Sequence, residues 1–159
     1  MKFFETSKYF SLKKSTYINL RWITIIGQLI TINSVYFIFN FKFNFVLGNL
    51  IIFFGILSNL YLIYIYEKTQ LPDRSAFIFL LIDILQVSFL IYLTGGIINP
   101  FVIFLILPSA FSSSNLGFRT NILLVAITSI AIIILTFYHL DLPSPLNEHF
   151  HISSYYYYS

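Results

Sequence analysis

The chain has 159 residues, 58% of them hydrophobic and 9% charged, at a mean hydropathy of +0.84. No soluble core needs that much apolar side chain, so the composition excludes an ordinary water-soluble domain and points to an all-α, polytopic transmembrane bundle. The absence of cysteine excludes disulfides and thiolate chemistry, and the net charge of +3 rests on few basic residues flanking apolar runs, which excludes a nucleic-acid surface.

Residues 1–21 form a basic leader with Lys2, Lys8, Lys13 and Lys14 opposed by Glu5. Phe3, Phe4, Tyr9 and Phe10 lie between the lysines, a pattern suited either to the lipid of an anionic cytoplasmic leaflet or to a solvated tail. The apolar run that follows ends at Asn40 and Lys42 without a small-residue cleavage site, so it reads as a retained first helix.

About five spans are expected, near residues 22–39, 45–66, 76–94, 101–115 and 121–138, which together make a membrane domain over 22–138. The fourth is short and carries Pro108, which predicts a kink, and Ser109, Ser112, Ser113 and Ser114 provide small polar contacts at its end. Lys2, Lys8, Lys13, Lys14, Arg21, Lys68, Arg74 and Arg119 fall on one face and Lys42 on the other, which places the N-terminus in the cytoplasm. Trp22 and the tyrosines at span ends, Tyr36, Tyr64, Tyr66 and Tyr138, read as interface anchors.

The loop after the third span has unusual chemistry for a connector. Gly95 and Gly96 permit positive φ, Asn99 brings an amide, Pro100 holds the Asn99 backbone extended, and Phe101 and Tyr92 offer flat rings. On the outer face, this set provides hydrogen-bond donors and an apolar slot for a planar, polar-edged head group; the plain alternative is a glycine-proline hairpin.

Gly95-Gly96-x-x-Asn99-Pro100-Phe101 with the apolar run to Pro108 resembles the quinone-binding loop of RegB-type redox-responsive sensor histidine kinases. Leu20-Arg21-Trp22-Ile23 with Gly27-Gln28 is similar to the start of that family's first membrane helix, and the likeness extends over residues 20–138. The resemblance implies a multi-pass protein of the bacterial inner membrane that binds ubiquinone or menaquinone at Tyr92, Gly95, Gly96, Asn99, Pro100 and Phe101. It also implies a homodimer and an attached cytoplasmic domain that uses ATP to phosphorylate a histidine and passes the phosphate to a response regulator. A sixth span, the phospho-acceptor helix and the ATP-binding domain of that family are expected beyond Ser159. The tail, residues 139–159, with Pro143, Pro145 and a run of tyrosines, therefore reads as periplasmic and as a truncated or frameshifted frame.

Asp83 is the ionisable side chain deepest in a predicted span, and burying it requires a partner or a proton. Reflection about Leu71 sets Asp83 opposite Asn59; Gln28 lies at matching depth, about 10 Å from the cytoplasmic edge, and Gln86 lies a turn further along. A polar layer of Gln28, Asn59, Asp83 and Gln86 is therefore expected, either as a protonation-sensitive relay or as hydrogen-bond glue between helices. His149 and His151 alternate near His139 without a fourth ligand, so no metal site is assigned. No residue is assigned a catalytic role, since no phosphate loop, nucleophile elbow or HExxH pattern is present. The rival reading is a transporter or permease fragment with Asp83 as coupling residue and Pro108 in a broken helix; a subunit of a quinone-using membrane enzyme or a passive scaffold is a third.

Overall fold

A computed structural model describes residues 11–65 and 70–140 of the chain. The leader residues 1–10, Tyr66, Lys68, the proline pair, His149, His151 and the tyrosine run all lie outside the described residues. Among the described residues five α-helices follow one another: α1 (Lys14–Phe37), α2 (Phe45–Ile65), α3 (Asp73–Leu93), α4 (Ile106–Asn115) and α5 (Phe118–Phe137). Two 3-10 segments, Gly96–Ile98 and Pro100–Leu105, join α3 to α4.

Helices are the form in which an apolar chain satisfies its own backbone without water. By length and composition, Phe45–Tyr64, Asp73–Leu93 and Phe118–Phe137 are long and apolar enough to cross a membrane, and Pro100–Ser113 is a shorter apolar stretch. Apolar residues such as Ile23, Phe54, Tyr64, Ile103 and Ile133 point outward along the bundle, as they do where lipid replaces water. α3 runs through the middle: Ala76, Phe79, Leu80, Ile84 and Ile91 are buried in the main core with Tyr17, Leu62, Leu105 and Leu124.

Turn chemistry sets where the helices begin. Asn44 Oδ1 accepts from Leu47 N–H at 3.1 Å and caps α2. Asn40 takes φ 53° in the reversal before it, a conformation that asparagine tolerates. A two-stranded antiparallel clip, β1 (Ser11–Lys13) with β2 (Gln70–Pro72), ties the start of α1 to the start of α3. Asp73 then reaches the start of α5, where its carboxylate accepts from Gly117 N–H at 2.8 Å and from the Thr120 hydroxyl. One end of the bundle thus gathers the beginnings of α1, α3 and α5, and the loop at 94–101 lies at the other. Asp73→Ala removes a helix cap supplied from a different helix; the expected cost is about 1 kcal/mol, read as a lowered unfolding midpoint in detergent, and an unchanged midpoint would contradict the capping role.

Two boundaries differ from expectation. α1 begins at Lys14 rather than near residue 22, so Arg21 is two turns inside the helix and is not a boundary charge. The physical reason is that its guanidinium is paired within the bundle. The fourth segment does not start as an α-helix at Phe101: it is wound as 3-10 to Leu105 and changes to α at Ile106, two residues before Pro108. Proline has no N–H to give the carbonyl four residues back, and a tighter first stretch avoids that missing bond.

Candidate functional site

The loop at the far end is held by its own side chains. Gly95 and Gly96 take φ 108° and 57°, a region that costs other residues energy. At Gly96 there is also no room: the His139 ring occupies the place a Cβ would take. His139 arrives there because the chain turns back after α5, and Leu140 N–H donates to Tyr92 O at 2.9 Å.

Asn99 is buried, and both ends of its amide are used within the loop. Nδ2 donates to Thr94 O at 3.1 Å and to Thr94 Oγ1 at 2.6 Å, while Oδ1 accepts from Phe101 N–H at 2.9 Å. Asn99 is thus the staple that caps the second 3-10 segment, with Pro100 at its first position. This differs from the expectation that its amide is turned toward a ligand: local backbone groups compete for a short polar side chain and win. Asn99→Ala should leave the Phe101 N–H unsatisfied and loosen the loop by about 1–2 kcal/mol, seen as faster amide exchange over residues 95–103; unchanged exchange would count against the staple.

Behind the loop is a cavity of about 610 Å³. Asn99, Pro100 and Phe101 form its rim, Gly27, Gln28 and Thr31 of α1 one wall, and Val87 and Leu90 of α3 with Thr94 just past its end another. Of the six loop residues expected at the site, these three line the cavity; Tyr92, Gly95 and Gly96 do not, and act instead on the loop's shape. Phe101 stacks on Phe104 with ring centroids 5.7 Å apart, which gives the rim a flat apolar face.

The expected polar layer divides into two clusters and an isolated amide. Gln86 Nε2 donates to Gln28 Oε1 at 2.8 Å, and Gly55 leaves the space that the Gln86 amide fills. Asp83 does not pair with Asn59. Arg21 Nη2 and Nε lie 2.8 and 2.9 Å from Asp83 Oδ1, and the Tyr17 hydroxyl donates to Oδ2 at 2.6 Å. Arg21 also donates to Ser58 Oγ at 3.1 Å and lies over the rings of Tyr17 and Phe79, at 5.6 and 5.7 Å. Asn59 is fully buried, and neither of its amide atoms has a partner among the described residues. The expected match of Asp83 with the Asn59 amide is thus replaced by an ion pair with Arg21. A buried carboxylate gains far more from a guanidinium, and α1 starts early enough to supply one.

Arg21 and Tyr17 are the functional-site residues that span counting missed. The available signal was their spacing of four, which puts both on one helix face at the depth of Asp83. Together the helices, the ion pair of buried Arg21 with part-buried Asp83, and the roofed cavity define a polytopic helical membrane domain. The chain belongs to the PilS-like transmembrane domain family, whose model matches residues 13–157. It is also 30% identical, over 128 residues, to the sensor histidine kinase RegB of Cereibacter sphaeroides; that stretch takes in 80% of this chain and 28% of that protein. The chain therefore spans about 28% of the length of this relative. The likeness drawn from the loop and from the Leu20-Arg21-Trp22 start is borne out, and the chain is a multi-pass inner-membrane protein of the RegB-type sensor domain class. No solved structure matches it.

Proposed function

We propose that this chain is the membrane input domain of a two-component sensor histidine kinase and that it senses redox state through quinone, ubiquinone or menaquinone, held in the cavity beneath residues 95–101. The observation that carries this reading is the cavity itself: about 610 Å³, walled mostly by apolar side chains with Gln28 and Thr31 among them, and rimmed by Asn99, Pro100 and Phe101. A space of that size and lining suits a ring with a lipid tail, and its place within a membrane bundle suits a ligand that arrives through the bilayer.

In this reading α1, α2, α3, α5 and the segment from Pro100 to Asn115 all cross or enter the membrane. Lys13, Lys14, Arg74 and Arg119 stand at the end where α1, α3 and α5 begin, and Lys42 stands at the other. That asymmetry favours a cytoplasmic N-terminus and a periplasmic loop. Bound quinone touches α1, α3 and the second 3-10 segment together, so a redox form that prefers one packing of these helices shifts their equilibrium toward it. ATP-dependent histidine phosphorylation, the homodimer and the response regulator would belong to an attached kinase domain. The transporter reading has no separate support, because Asp83 is engaged by Arg21 and Tyr17.

The test is quinone affinity in purified, lipid-reconstituted protein. Phe101→Ala strips the stacked rim and Asn99→Ala releases the staple; each is expected to weaken binding about tenfold, the effect of one good ring contact or hydrogen bond. Unchanged affinity in both variants would return the loop to a plain hairpin.

A further inference from the structure

Arg21 has a donor to spare. Its Nε and Nη2 are taken by Asp83 and Ser58, yet among the described residues Nη1 has no partner, in a side chain that is only 4% exposed. A buried guanidinium N–H without an acceptor is unfavourable, so this nitrogen points to something that fills the gap. Arg21 also lines a second, inner cavity of about 210 Å³, together with Tyr17, Asp83 and Gln86 on its polar side and Leu80, Pro108 and Phe111 on its apolar side. Thr24, Gln28, Val87, Phe104 and Leu107 line both the inner and the outer cavity, so the two are adjoining chambers.

Three facts bear on what enters. The loop amide of Asn99 is fully engaged by Thr94 and Phe101, so the rim has no side-chain amide to offer. Arg21 and Asp83 neutralise each other, so the inner chamber favours a neutral acceptor oxygen over an anion. The inner chamber, about 210 Å³, is ring-sized, while the outer one, about 610 Å³, is larger than a ring needs.

We propose that the ligand binds head-inward: a carbonyl oxygen of the ring accepts from Arg21 Nη1 in the inner chamber, and the apolar tail runs through the outer chamber past Gln28 to the Phe101 rim. This rests on the quinone reading and adds the orientation and the recognising residue. It makes the α1–α3 ion pair the place where occupancy is read, since a carbonyl that gains or loses acceptor strength acts directly on the Arg21 guanidinium. A reduced ring, with hydroxyls in place of carbonyl oxygens, presents a weaker acceptor to the same donor and is held less tightly.

The experiment is photolabelling of wild-type protein in lipid nanodiscs with a quinone that carries an azide on its ring. The expected labels fall in residues 17–28 and 80–87 and are suppressed by excess ubiquinone-1. Labels confined to residues 94–104 would overturn the head-inward placement while leaving quinone binding intact. Absence of any label that excess quinone suppresses would overturn both. A paired variant, Arg21→Met with Asp83→Leu, removes the donor without leaving a lone buried charge. It should bind ubiquinone-1 about tenfold more weakly yet bind an alkylbenzene with the same tail as wild type does. Unaltered preference for the quinone over the alkylbenzene would overturn the assignment of Arg21.

Discussion

Arg21→Ala is expected to destabilise the bundle by about 3–5 kcal/mol. The side chain joins three helices: it bonds Asp83 of α3 and Ser58 of α2 from its place on α1, and it lies over Tyr17 and Phe79. Its removal leaves the Asp83 carboxylate inside the bundle with the Tyr17 hydroxyl as its remaining described partner. An unpaired charge there is far more costly than the loss of a surface contact. Removing both charges should therefore undo most of the damage, and Arg21→Met with Asp83→Leu is expected to regain most of the lost stability. Denaturation in mixed micelles, followed by circular dichroism, measures this. A single variant as stable as wild type, or a paired variant no better than the single one, would show that the ion pair is not what holds α1 to α3. The same pairing bears on the idea of a protonation relay: an Asp83→Asn protein that assembles and signals normally across pH would leave the cluster a purely structural role.

Gly27→Phe is expected to lower quinone affinity about a hundredfold, equivalent to about 2.7 kcal/mol, without destabilising the fold. Gly27 lies on the wall of the outer cavity, and a Cβ placed there meets nothing within 4 Å. A phenyl group at this point grows into the space the ligand needs rather than into the protein. Glycine is also a poor residue for a helix interior, so the substitution gains a few tenths of a kcal/mol of helix propensity. Gly27→Ala is the control, since it gains about 1 kcal/mol of helix propensity and leaves the cavity open. Equal affinity in the phenylalanine variant and wild type would mean that the cavity is not where quinone binds.

Much of this architecture can be read from the chain. Apolar runs separated by Asn40, Pro72, Gly95 and Gly117 mark the helices, and the loop is recognisable because glycine, asparagine and proline have few other reasons to occur together there. What escaped is whatever depends on two distant segments meeting. The early start of α1 was hidden because Lys14 and Arg21 look like boundary charges until Asp83 is placed beside one of them. The inward turn of Asn99 was hidden because an amide reads the same whether it faces a ligand or Thr94. Nor does any local pattern announce that His139 closes over Gly96, which is a contact across more than forty residues.

The most direct measurement is a titration of the reconstituted domain with ubiquinone-1 and a short-tailed menaquinone, followed by quenching of Trp22. This is the single tryptophan of the chain, and it adjoins Arg21. Specific occupancy of the cavity predicts quenching that saturates at one quinone per chain and is lost in Gly27→Phe. Quenching that rises linearly with quinone in the lipid, and is the same in both proteins, would contradict it.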